Sequence, residues 1–159
     1  MIPYCIKLKF IKIRNSLFHY LIKQRLKNAF TLTSDLLESM DETNLKLKIN
    51  DVPSNTIGGQ YWCIIGARQS YNKAMEHDGE WQGFLCELED PHNKEDVIKL
   101  LELTSKGLDD LKIDEKNERV MTKLLELLEH EIQHHGQLIR FVYANKLKFP
   151  ESWNRRYTV

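Results

Sequence analysis

The run Leu127-Leu128-Glu129-His130-Glu131-Ile132-Gln133-His134-His135-Gly136-Gln137-Leu138 decides how the chain is read. It holds three of the six histidines and sits inside a stretch from Asn117 to Asn145, with Pro150 beyond it. Apolar residues recur there at helical spacing, and its ~29 residues would form a helix roughly 43 Å long. His130 and His134 are four apart, so on a helix they stand about 40° apart in projection, one turn above the other. Two imidazoles so placed can reach one metal ion. Leu127, Leu138 and Phe141 share their face, which turns the pair toward the interior or rim of a helix bundle. His135 projects into the middle of the apolar arc, close to Leu128 and Ile139, and reads as a core histidine hydrogen-bonded to a neighbouring helix.

The letters His130-Glu131-Ile132-Gln133-His134 also fit H-E-x-x-H, in which the Glu is a general base and both His bind zinc. A peptidase of that kind needs a third ligand downstream and a sheet edge to hold its substrate. Glu151 is the only acidic residue after His134, and no convincing strand is evident. Glu131 remains the one candidate catalytic group, placed to orient a ligand or accept a proton. Pairing with a Lys or Arg of a neighbouring helix is its competing role.

Three further helical segments lie upstream. The first is expected over 15–40, with Leu17, Leu21, Leu26, Phe30, Leu36 and Leu37 at helical spacing. The second opens after Pro53, where Ser54, Asn55 and Thr56 are N-cap candidates, and runs to Met75. The third starts near Asn93, with Asp96 three residues on, and ends near Leu108. On the second helix, Cys63 shares a stripe of small residues with Gly59, Gly66, Ala67, Ser70 and Ala74. Such a stripe permits a close helix crossing or space for a small ligand, with Cys63 either a third metal ligand or a small buried residue. Gln60, Arg68 and Tyr71, with His135, are candidates for a polar pocket lining. Trp62, Trp81 and Phe84 would serve as pocket wall or as core. Residues 1–14 read as an extension: Ile6, Leu8 and Phe10 alternate with lysines at a strand's period, but nothing in the sequence could pair with them. The fold class expected is all-α, an antiparallel four-helix bundle over 15–159.

Composition agrees with one helical domain. The chain has 159 residues, 42% hydrophobic and 29% charged, with only seven Gly and four Pro. Twenty-three basic residues balance 23 acidic ones, which excludes a strongly basic nucleic-acid sleeve. Arg155-Arg156 beside Trp153 and Tyr157 is a small cluster that reads as a docking or dimer element. No apolar run reaches the ~18 residues of a membrane span, so neither nucleic acid nor membrane is expected as a partner. Three cysteines, at 5, 63 and 86, form no disulfide framework, and a cytoplasmic setting is the simplest.

The run His130-x-x-x-His134-His135-Gly136-Gln137-Leu138 resembles the H-x-x-x-H-R-G-Q-L signature of DinB/YfiT-like proteins. The Thr56-Ile57 opening of the second helix, with an inward residue seven positions after Thr56, is similar to that family's second helix. The ending Leu147-Lys148-Phe149-Pro150-Glu151-Ser152-Trp153 is similar to the tails of one subgroup. The resemblance covers about 15–155. It implies a four-helix bundle, often a homodimer, and a divalent metal, zinc or nickel, held by three histidines. His130 and His134 match the fourth-helix pair, whereas the second-helix histidine falls on Cys63, and His135 stands where Arg is common.

Two outcomes follow from Cys63. A Cys-His-His site would favour zinc and leave a position open for an external ligand. A degenerate site would hold metal weakly or not at all. Several relatives are thiol S-transferases or thiol-dependent isomerases, which implies a metal-dependent transferase using a low-molecular-weight thiol, with a small-molecule hydrolase as second choice. The alternative from another class is a non-catalytic dimeric bundle that binds a small ligand or a partner protein.

Overall fold

The computed structural model describes residues 4–159 apart from 51 and 115, with side chains from residue 17 onward. Every regular element among the described residues is helical: α1 (Tyr4–Glu38), α2 (Ile57–Glu76), α3 (Lys94–Asp110), α4 (Glu118–Ala144) and the short α5 (Glu151–Tyr157). A single 3₁₀ turn at Glu42–Lys46 leads out of α1. The caps explain the boundaries. Thr56 Oγ1 accepts from Gly59 N at 3.0 Å, and Asn93 accepts from Asp96 N. Asn117 accepts from the amides of Arg119 and Val120, which satisfies two donors that the first turn of α4 would otherwise leave unpaired.

Helix α4 packs on α2 and α1, and α3 packs on the other sides of the same two helices. The four long helices therefore close a ring in the order α1–α4–α2–α3. Two apolar clusters fill it. One joins Leu36, Leu37, Ile57, Ile64, Leu101, Leu138 and Phe141, with Trp153 of α5. The other joins Ile22, Leu26, Phe30, Leu108, Leu124 and Leu127. Both derive from the 3.6-residue periodicity of amphipathic helices.

Three expectations change. Helix α1 starts at Tyr4 rather than Asn15, and so runs through most of the expected extension. The spacing Ile6, Phe10, Ile13 is as helical as Ile6, Leu8, Phe10 is strand-like, and with no partner strand only a helix satisfies the backbone internally. The side chains of 1–16 lie outside the described residues. Leu17 and Leu21, part of the apolar spacing that marks this helix, are exposed, and burial among the described side chains of the helix begins at Ile22. At 35 residues α1 is roughly 52 Å long against about 40 Å for the 27-residue α4, so it outruns its partner.

The C-terminal tail is not a free docking element. It folds as α5 against α1, with Trp153 fully buried and its Nε1–H donated to the Leu32 carbonyl at 2.6 Å. Arg155 and Arg156 stay exposed.

Part of the small-residue stripe on α2, at Gly66 and Ser70, receives the segment 80–91. A side chain at Gly66 would meet the Phe84 ring at 2.3 Å and Cys86 Cβ at 3.1 Å. At Gly58 it would meet the Pro91 carbonyl oxygen at 2.2 Å. Ser70 Oγ accepts from Leu85 N at 2.8 Å and Gln69 Oε1 from Glu87 N at 2.9 Å, so α2 side chains stand in for a missing strand partner.

Candidate metal centre

Helix α4 turns two i,i+4 pairs inward, offset by one residue. His130 and His134 face α2, where Cys63 stands. One ligand atom from each of Cys63, His130 and His134 lies within 4.8 Å of the other two. Cys63 and His130 are half-buried and His134 is buried, so the cluster lies at the edge of the core. His134 Nδ1 lies 2.8 Å from Gln60 Oε1. An amide oxygen only accepts, so this contact places the proton on Nδ1 and leaves the Nε2 lone pair free. The buried Nδ1 of His130 has no hydrogen-bond partner among the described residues. The two rings are 4.5 Å apart between centroids.

Electrostatics keep the cluster neutral. Burial lowers the pKa of His134 to about 4, and the neighbouring His130 pushes the same way. Burial also lowers that of His130, and raises that of the Cys63 thiol. Neutral imidazoles are the metal-binding form, whereas the thiol must lose its proton to bind. Two nitrogens and one sulfur suit zinc. The test of fit is the orphaned His130 nitrogen together with the preset His134 tautomer, and both are what a metal ligand set requires.

Aromatic groups rim this edge. Tyr71 lies 6.5 Å from His130 and 5.3 Å from Trp81, ring to ring. Trp62 and Phe84 are 5.1 Å apart, ring to ring, and Cys86 Sγ contacts the Trp62 carbonyl at 3.4 Å. A cavity of about 290 Å³ begins at Gln60 and is walled by Gln137, Arg140 and Asn55.

The second pair, Glu131 and His135, turns into the layer between the two apolar clusters. Both are fully buried, as is Arg68. Arg68 clasps Glu131 with Nε at 3.1 Å and Nη2 at 2.5 Å, and its guanidinium lies 3.6 Å above the Phe30 ring. Thr33 of α1 donates to Glu131 Oε1, and its oxygen lies 2.8 Å from His135 Nε2. His135 Nδ1 meets the Tyr157 hydroxyl at 2.6 Å. Burial pushes the Glu131 carboxyl up, but the Arg68 charge and hydrogen bonds, with His135 and Thr33, outweigh it and hold it below the ordinary value.

The sequence-derived residues thus separate into two groups. Cys63, His130 and His134 come together, with Gln60 and Tyr71 beside them. Glu131, Arg68 and His135 join a different cluster, in which Glu131 has the paired role rather than an open one. His135 is the core histidine its projection indicated, bonded to α1 and α5. Thr33 was not singled out, and Tyr157 was read only as part of the tail's docking cluster. For Thr33 the signal was a hydroxyl on the apolar face that carries Phe30 and Leu37. Comparison with protein-family models, with curated proteins and with solved structures returns no match. No helix among the described residues is long and apolar enough to cross a membrane.

Proposed function

We propose that the protein is a divalent-metal enzyme of the DinB/YfiT-like kind, an antiparallel four-helix bundle whose centre is Cys63, His130 and His134. The observation that carries this reading is the convergence of their ligand atoms within 4.8 Å of one another, with a buried His130 nitrogen left unpartnered. The resemblance in the α4 motif supports the family. The half-buried position of the cluster supports an open coordination position.

Zinc or nickel bound there would supply Lewis-acid activation of a thiol or water. The chain's own groups do the rest. Gln60 holds the His134 ring in the tautomer that presents Nε2. Tyr71 and Trp81 supply an apolar wall beside His130. Gln137 and Arg140 give the adjoining cavity polar and cationic contacts for a small molecule. Among the metal-dependent reactions, thiol S-transfer is the first choice and small-molecule hydrolysis the second, in a cytoplasmic homodimer with no nucleic-acid role.

Elemental analysis of untagged protein purified without chelator tests the reading. The expected result is near one zinc or nickel per chain, lost in His134→Ala and weakened in Cys63→Ala, with the helical fold retained. Less than about a tenth of an equivalent after reloading, against the full occupancy expected of a structural or catalytic site, overturns it in favour of a non-catalytic ligand-binding bundle.

A further inference from the structure

A second cavity lies on a different face, where α1, α4 and α5 meet. Its volume is about 240 Å³. Arg25 and Asn28 of α1 and Arg156 of α5 line its polar side. Ala29 and Leu32 of α1, with Leu128 and Ile132 of α4, form an apolar floor. No acidic residue is in the lining. Neither Arg25 nor Arg156 has a carboxylate partner among the described residues, although the chain carries 23 acidic side chains and matches them elsewhere to Lys27, Arg68 and Lys123.

We infer that this cavity is a binding site for a small amphipathic carboxylate, an organic anion with an aliphatic or aromatic body. Two guanidiniums with no internal counter-charge present planar donor forks that suit a carboxylate. The four floor residues suit a hydrocarbon body and have nothing to offer a bare inorganic ion. The volume is below the roughly 300–1,000 Å³ of drug-sized sites, which limits the ligand to a short chain or a single ring.

The site also bears on the fold. Arg25 belongs to α1 and Arg156 to the short α5, so a carboxylate held by both would bridge the two elements. Helix α5 supplies Trp153 to the core and Tyr157 to His135, and the ligand would tie it down from outside. The inference is independent of the metal reading, because the cavity lining and the Cys63, His130 and His134 cluster share no residue.

The test uses octanoate, octanol and inorganic phosphate as probes of the full chain, by calorimetry and amide chemical-shift mapping. Octanoate is expected to bind saturably, to shift the amides of Ala29, Leu32 and Ile132, and to weaken by about tenfold or more in Arg25→Ala and in Arg156→Ala. Both positions are exposed, so the variants keep the fold, which circular dichroism verifies. Arg156→Lys, which keeps charge but loses the fork, is expected to lie between. No saturable octanoate binding overturns the inference. So does binding undiminished in the double alanine variant, or octanol or phosphate matching octanoate. Burial of this face in a self-associated form that excludes octanoate overturns it as well.

Discussion

Helix α4 carries two inward polar pairs one residue apart, and they meet opposite fates. Glu131 and His135 find every partner they need: Arg68 from α2, Thr33 from α1 and Tyr157 from the tail. His130 and His134 find only Gln60 for one nitrogen, while a thiol and the remaining nitrogens crowd together. The first pair is a closed network, and its chemistry is spent on holding helices in register. The second is an open one, in which the buried His130 Nδ1 has no hydrogen-bond partner among the described residues. A buried polar group without a partner costs stability, so an open set persists where something else completes it. Burial alone does not separate the two clusters, because His134 is also buried. Satisfaction of hydrogen-bonding capacity does.

Breaking the closed network is expected to have the largest effect. Arg68→Ala leaves the Glu131 carboxylate buried and uncompensated, and should cost about 3–5 kcal/mol in urea denaturation. Replacing both partners by apolar groups, Arg68→Met with Glu131→Leu, should recover most of that loss. If the double variant binds metal and keeps its metal-dependent activity, Glu131 is structural. Loss of metal-dependent activity with metal retained would instead return Glu131 to a catalytic role.

Next comes pH. Burial foremost lowers the His135 pKa from 6.5 to about 4, so the folded chain resists a proton that the unfolded chain accepts. Stability is therefore full above about pH 6.5 and falls as pH drops toward 4, by about 3 kcal/mol from this one group. Denaturation midpoints at pH 7 and pH 4.5 should differ less in His135→Gln, which cannot charge. An equal difference in both proteins would place the titration elsewhere. Thr33→Val, which keeps shape but removes the hydroxyl shared by Glu131 and His135, should cost about 2 kcal/mol at pH 7 by the same assay.

The two networks were unequally legible in the sequence. Spacing on one helix is local information, so the shared face of His130 and His134 could be read from their separation of four residues. Cys63 could be placed on α2 because Thr56 marks that helix's start and the small-residue stripe its buried side. What spacing cannot show is which side chain arrives from across the bundle. Arg68 read as a pocket residue because long cations are seldom fully buried, and only tertiary packing brings Glu131 to it. The stripe on α2 was legible as a close approach, but its occupant is the irregular segment around Phe84 and Cys86, which has no period to read. Trp153 misled for a related reason: an aromatic beside two arginines looks like a surface anchor, and a seven-residue helix is too short to show an apolar face.

The smallest expected change in stability comes with the sharpest functional test. Gln60 touches no metal-ligand position directly in the sequence pattern, yet its amide oxygen fixes the His134 proton on Nδ1. Gln60→Leu keeps the volume and removes the acceptor. Because His134 Nδ1 then loses its acceptor at the edge of a cavity, denaturation should move by about 1 kcal/mol. Metal affinity, in contrast, should fall about 10- to 100-fold, the usual cost of losing a group that orients a ligating imidazole. Gln60→Glu, a stronger acceptor at the same place, should preserve or raise affinity. Competition against a chromogenic chelator reads both. If Gln60→Leu binds metal as the parent does, the His134 tautomer is not set by α2, and the open cluster is open for a reason other than coordination. If affinity falls while stability holds, the contrast between the two pairs on α4 is one of purpose: the network that could be closed was closed, and the other was left to an ion.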